Sequence, residues 1–173
     1  MASNIRATLF GGVIAVLLAT MIYRVVPYLE IHNVEVGDKA PGFELADDSG
    51  QGVNLSDFRG KYVLLNFWAT WCPPCVEEMP SLSALHERLK DQGLVVLGVS
   101  VDESEAEYKR FLDRARLSFP TVRDPERSVS SRYGTVKYPE TYLINPEGVV
   151  IRKYINWQDW NRPEIVNYLN SLL

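Results

Sequence analysis

Length, composition and charge limit what this chain can be. It has 173 residues, two cysteines and a formal net charge of −4. Behind an apolar N-terminus about 140 residues remain, enough for one hydrophobic core but too few for two ordinary domains. The acidic balance and the lack of a basic stripe argue against nucleic acid as a partner. We therefore expect one folded domain that does not bind nucleic acid.

The N-terminal residues are suited to a membrane. No charge occurs between Arg6 and Arg24, and the apolar character continues through Val26. A span of about 20 residues is therefore available to cross a bilayer as a helix. We predict this division of the chain: a cytoplasmic N-terminus at 1–6, a transmembrane signal anchor at 7–26, a neck at 27–36 and a folded domain at 37–173.

A cleaved signal peptide is the alternative to an anchor. The sequence Ala19-Thr20-Met21 is a poor cleavage site, and no cysteine is present there to accept a lipid. The flanking positive charges are almost balanced, so the positive-inside rule does not set the orientation. We favour the anchor and argue its orientation from the chemistry of the folded domain.

The pattern after the neck alternates between strands and helices. A strand, a helix and a second strand in succession predict a crossover unit with a parallel sheet. In chain order the predicted elements are a hairpin of 43–45 and 53–55, a buried strand at 61–68, a helix from about 72 to 92, a strand at 94–101, a helix at 103–116, a strand at 119–122, a helix at 128–133, strands at 141–144 and 149–155, and a last helix that Pro163 opens.

Both cysteines lie in one motif, Cys72-Pro73-Pro74-Cys75, at the junction between the first buried strand and the helix that follows it. We predict Cys72 as the N-cap, with both prolines in the first turn, where a missing N–H costs little. A helix N-terminus favours thiolate over thiol and lowers the pKa of a cysteine. Cys72 is therefore the predicted nucleophile, and Cys75, one turn further, the predicted resolving thiol.

This pair is suited to dithiol–disulfide exchange, in which Cys72 forms a mixed disulfide and Cys75 then releases the reduced product. A purely structural disulfide is a weak alternative because the loop it closes is very short. A zinc site is weaker still, because the sequence offers no second ligand pair. We therefore expect neither a metal nor a cofactor.

Four segments together carry a family resemblance. They are Val34–Phe43, the run from Asn66 to Cys75, Glu77–Pro80, and Tyr138–Ile144. Over residues 36–173 the chain resembles the thioredoxin superfamily, and within it the membrane-anchored TlpA/ResA/DsbE-like thiol–disulfide oxidoreductases. The resemblance implies a thioredoxin-like α/β fold, a central mixed β-sheet flanked by helices. To this fold it adds an N-terminal hairpin, a central insertion within 102–132 and one N-terminal transmembrane helix.

The resemblance also implies a substrate-binding rim around the cysteines. Pro139 matches the cis-proline that faces the cysteine pair in this superfamily. A cis X-Pro bond in a tight loop exposes backbone edges to which a peptide can bind. The residues that we expect to contact substrate are Trp71, Tyr138, Pro139 and Glu140.

One departure from thioredoxin concerns proton transfer. Asn66 stands where thioredoxins carry a buried aspartate, and an amide does not exchange a proton in this way. Glu78, three residues after Cys75 on the same helical face, is the better acid–base candidate, and the subgroup has a glutamate there. Glu140 is a second candidate. Alternatively, Glu77 and Glu78 only complement the helix N-terminus from solvent.

Three functions fit these residues. The first is a reductant for apocytochrome c (CxxCH) or other exported proteins, with electrons from a membrane thiol–disulfide donor; the resemblance implies this and places the catalytic domain outside the cell membrane. The second is a disulfide-forming oxidase or isomerase, because the Pro-Pro dipeptide does not fix the reduction potential. The third, a peroxidase relative or copper-binding module, fits the sequence poorly. A peroxidatic cysteine requires a threonine where this chain has Ala69, and a copper site requires a third ligand that the motif does not supply.

Overall fold

The computed structural model describes residues 16–21, 23–24 and 33–173, and the chain forms two compact units, Met1–His32 and Asn33–Leu173. In the first unit, residues 16–21 and 23–24 are helical. Among the described residues, no helix is both long and apolar enough to cross a membrane. The predicted N-terminus at 1–6, and most of the predicted anchor at 7–26 and neck at 27–36, lie outside the described residues.

The second unit begins with the predicted N-terminal hairpin. Strand β1 (Glu44–Ala46) pairs antiparallel with β2 (Gly52–Asn54). The turn between them is held by the Asp47 carboxylate, which accepts hydrogen bonds from the backbone N–H groups of Ser49 and Gln51. The hairpin is confirmed, with each strand within one residue of its predicted position.

A five-stranded mixed sheet forms the centre of the unit, in the order β5-β4-β3-β6-β7. The central strand β3 (Tyr62–Trp68) runs parallel to β4 (Leu94–Ser100), which runs parallel to β5 (Thr121–Arg123). On its other side β3 pairs antiparallel with β6 (Glu140–Ile144), which pairs antiparallel with β7 (Val150–Ile155). The predicted mixed sheet and its parallel crossover unit are confirmed.

Four helices complete the unit: α1 (Pro73–Leu89), α2 (Glu105–Ala115), α3 (Ser128–Tyr133) and α4 (Pro163–Asn170). A 3₁₀ turn, Lys90–Gln92, separates α1 from Gly93, which has a φ of 104° that favours glycine. Residues 102–132, predicted as an insertion, contain α2, β5 and α3. Strand β5 begins two residues later than predicted because Pro120 has no N–H for the ladder.

The sheet is buried on both faces, which explains the continuous apolar run of β3. Successive side chains of a strand point to opposite faces. Leu64 and Trp68 accordingly pack on the face covered by α1 and α4, while Leu65 and Phe67 pack on the opposite face. Asn66 lies on the same side of β3 as Leu64 and Trp68, and its side chain therefore points toward α1.

Candidate active site

The cysteine pair lies where the sequence places it, at the start of α1. Cys72 is the N-cap, Pro73 and Pro74 occupy the first helical positions, and the Val76 N–H donates to the Cys72 carbonyl at 3.1 Å. The two cysteines are joined by a disulfide with their Cα atoms 5.3 Å apart. In this oxidised state the Cys72 side chain accepts no capping hydrogen bond. Cys72 is 5% exposed and Cys75 is fully buried.

Two of the predicted rim residues, Trp71 and Tyr138, are in contact next to Cys72. The Tyr138–Pro139 peptide bond is cis, as the resemblance implies. The Tyr138 ring contacts the Trp71 ring edge-on, with centroids 6.0 Å apart, and 54% of Trp71 is exposed. The Pro139 carbonyl accepts a hydrogen bond from the Asn156 N–H at 3.0 Å, which ties this loop to the end of β7. An aromatic pair of the exposed Trp71 and the partly buried Tyr138 therefore links the cysteine loop to the cis-proline loop.

Glu140 has a different environment from the other rim residues. It lies opposite Phe67 in the sheet, so its side chain points away from the face that carries Asn66. Its carboxylate lies 3.2 Å from the Lys153 ammonium and accepts a hydrogen bond from the Tyr142 hydroxyl at 3.1 Å. Because Glu140 points away from the Asn66 face and forms an ion pair with Lys153, we propose no acid–base role for it.

The Glu140–Lys153 pair joins a buried carboxylate to a partly buried ammonium, and its loss has a predictable cost. Replacing Lys153 with methionine leaves a buried carboxylate without its cation, and we expect the free energy of unfolding to fall by about 3 kcal/mol. The double variant Lys153→Met/Glu140→Gln should recover part of this loss. Urea unfolding at pH 7 measures both.

The matched control for this experiment is Lys90→Met, which removes a solvent-exposed ion pair with Glu87. Exposed pairs contribute little, and the control should leave the free energy of unfolding nearly unchanged. A Lys153→Met variant as stable as the control would show that the buried pair contributes nothing beyond a surface pair.

Glu78, a residue of α1, is buried rather than solvated. It is 1% exposed, whereas its neighbour Glu77 is exposed. One Glu78 oxygen accepts a hydrogen bond from the Asn66 amide at 2.7 Å, and the other accepts from the Gln158 N–H at 3.1 Å. The solvated alternative is therefore wrong for Glu78; Glu77 is exposed, although it does not lie in the first turn of α1.

Burial controls the proton affinity of Glu78. Desolvation raises its pKa from an ordinary 4.5 to about 7, although the hydrogen bonds from Gln158 and Asn66 act in the opposite direction. A carboxyl group with a pKa near 7 exchanges protons readily at neutral pH. Glu78 and Cys75 are three residues apart on one helix, where side chains are neighbours. This carboxyl is suited to proton transfer with the buried thiol.

Two partners in this network were missed by sequence reasoning. The Asn66 amide also donates to the Thr141 hydroxyl at 2.9 Å, and the Gln158 N–H comes from the loop after β7. Thr141 lies in the segment after Pro139, so its register opposite Asn66 was a usable signal. No local pattern indicates Gln158. Of the two C-terminal tryptophans, Trp160 is buried as core and Trp157 is 42% exposed.

A redox-active Cys-x-x-Cys disulfide in this position of a thioredoxin-like fold makes the protein an enzyme, a thiol–disulfide oxidoreductase. Comparison with known proteins agrees. The AhpC/TSA family matches residues 36–153. The thiol-disulfide oxidoreductase ResA of Bacillus subtilis strain 168 is 36% identical over 143 residues, 82% of this chain and 80% of that protein.

ResA of Geobacillus kaustophilus is 37% identical over 169 residues, 96% of each chain. The thioredoxin domain of a thiol-disulfide oxidoreductase from Bacteroides vulgatus superposes with a TM-score of 0.72 at 29% identity, covering 82% of this chain and all of that one. The chain therefore belongs to the AhpC/TSA family, among its ResA-like thiol-disulfide oxidoreductases.

Proposed function

We propose that this protein is an extracytoplasmic reductant of protein disulfides, with apocytochrome c (CxxCH) as the leading substrate class. In the proposed cycle the Cys72 thiolate attacks a substrate disulfide and forms a mixed disulfide. The Cys75 thiol loses its proton to Glu78, attacks Cys72, and closes the Cys72–Cys75 bond. The substrate leaves as a dithiol: the enzyme supplies two electrons, and the substrate sulfurs take up the proton of Cys75, by way of Glu78, and one proton from solvent.

The observation that carries the direction of electron flow is the buried carboxyl of Glu78, one turn beyond Cys75. Two negative charges, a carboxylate and a nearby thiolate, repel each other. This repulsion raises the free energy of the reduced, thiolate-bearing state relative to that of the neutral disulfide. A couple whose disulfide is favoured in this way has a low reduction potential and donates electrons. A strong oxidant requires the reverse, a stabilised reduced form.

The location and the electron source complete the proposal. Residues 7–26 anchor the chain in the cell membrane as a single-pass segment, with the domain at 37–173 on the extracytoplasmic face. Electrons come from a membrane thiol–disulfide donor, because the cytoplasmic thiol pool does not reach that side. Protease added to intact protoplasts should degrade the domain; full protection in intact protoplasts, lost only on their lysis, would contradict this orientation.

The substrate proposal is tested with a peptide that carries an oxidised CxxCH disulfide. The reduced full-length protein should convert it to the dithiol and end with Cys72 and Cys75 oxidised, as mass spectrometry of both products would show. A peptide with CxxCA in the same sequence tests whether the histidine matters. An inert CxxCH peptide, together with efficient oxidation of peptide dithiols by the disulfide form, would overturn the reductant proposal in favour of an oxidase.

A further inference from the structure

A second buried carboxylate lies close to the cysteine loop. Asp102 lies two residues after the end of β4 and is 1% exposed. Its carboxylate accepts the Thr70 N–H at 3.0 and 3.2 Å, the Thr70 hydroxyl at 2.7 Å and the Ser100 hydroxyl at 2.6 Å. All of these partners donate, which suits a group that only accepts hydrogen bonds when ionised.

Within residues 33–173, no cation pairs with this carboxylate. The guanidinium of Arg123 donates instead to the backbone carbonyls of Asp102 and Glu103, at 3.5 and 3.1 Å. Another nitrogen of the same guanidinium forms an ion pair with Glu105. The hydrogen bonds to the Asp102 carboxylate therefore come from neutral donors alone, without a direct ion pair.

The position of Thr70 gives this contact its importance. The chain leaves the sheet after Trp68, whose carbonyl accepts the Val101 N–H at 2.9 Å. It then turns into α1, with the Cys72 N–H donating to the Ala69 carbonyl at 3.2 Å. Thr70 is the middle of this turn and lies two residues before Cys72. Asp102 thus clamps the segment that carries the more exposed cysteine to the end of β4.

We propose that Asp102 is a positioning residue of the redox site and lowers the reduction potential of the Cys72–Cys75 couple. Two effects act in the same direction. The clamp holds the turn in the conformation of the closed disulfide, which favours ring closure over the open dithiol. The negative charge of the carboxylate, which forms no direct ion pair, opposes a thiolate at Cys72. The inference concerns only the shift that Asp102 causes, so it is independent of the absolute potential and of the substrate.

The test is the reduction potential of Asp102→Asn, measured in the full-length protein by equilibrium with a glutathione buffer. We expect the equilibrium constant to shift about tenfold toward the dithiol, which corresponds to a rise of about 30 mV for a two-electron couple. Asp124→Asn is the matched control. Asp124 is also 1% exposed, and its carboxylate accepts four hydrogen bonds, from the backbone and hydroxyl of Ser128 and the N–H groups of Val129 and Ser130.

Both aspartate variants should lose stability, but only Asp102→Asn should change the potential. Thr70→Val, which loses the hydroxyl contact alone, should shift it in the same direction by a smaller amount, and Thr70→Ser should restore the wild-type value. The Thr70 pair keeps the test decisive if Asp102→Asn does not fold. A potential unchanged in Asp102→Asn and Thr70→Val would reduce Asp102 to a structural cap like Asp124.

Discussion

Cys72→Ser is expected to abolish thiol–disulfide exchange, and Cys75→Ser is expected to stop the reaction after its first step. Cys72 is 5% exposed, whereas Cys75 is fully buried. Cys72 is therefore the sulfur that an incoming substrate disulfide can reach. Without Cys75 the mixed disulfide has no internal thiol to resolve it. The Cys75→Ser variant should therefore accumulate one equivalent of covalently bound substrate, which non-reducing mass spectrometry measures.

The two variants are controls for each other, because each lacks the internal disulfide and only one retains the attacking thiol. Cys72→Ser should trap no substrate under the same conditions. Sustained turnover by Cys75→Ser would remove the resolving role from Cys75. Trapping by Cys72→Ser but not by Cys75→Ser would exchange the two roles.

Glu78→Gln is expected to lower the exchange rate at pH 8 by about 100-fold, the usual contribution of a positioned acid–base group. In the wild type the carboxyl ionises near pH 7, so the resolving step should accelerate as the pH rises through that value. The variant should lose this rise. Glu77→Gln is the matched control, because Glu77 is exposed on the same helix, and its pH profile should be that of the wild type.

The same ionisation should appear in stability. The native pKa of Glu78 is raised, so the native state favours the protonated form and stability falls as the pH rises from about 4.5 to about 7. The free energy of unfolding of Glu78→Gln, relative to that of the wild type, should therefore increase by about 3 kcal/mol over that pH range. Urea unfolding of the oxidised proteins measures the difference. A constant difference between pH 4.5 and 7 would mean that Glu78 titrates normally.

The local sequence was sufficient for the parts of the site that lie on one segment. The apolar run before Cys72 predicts the strand, and Pro73 and Pro74 are best accommodated at the beginning of a helix, so the position of the cysteine pair follows. The cis bond before Pro139 came from the family resemblance instead. Asn66 was identified by its spacing from Cys72, and the structure places its amide on Glu78.

The rest of the site depends on contacts between distant segments. Gln158 reaches Glu78 across 80 residues of sequence and uses its backbone N–H, which no side-chain pattern indicates. Lys153 and Glu140 meet because β6 and β7 pair antiparallel, and this moved Glu140 away from the proton-transfer role that the sequence suggested. No sequence pattern indicates a role for Asp102, because its contact with Thr70 forms only in the folded chain.

The reduction potential of the Cys72–Cys75 couple tests the proposed direction of electron flow most directly. Equilibration of the full-length protein with glutathione or dithiothreitol buffers at pH 7 gives it in one titration. The buried carboxyl of Glu78 predicts a reducing couple with a potential of about −270 mV, the value found for thioredoxin. A value near about −120 mV, that of a strong disulfide-forming oxidant, would contradict the proposal.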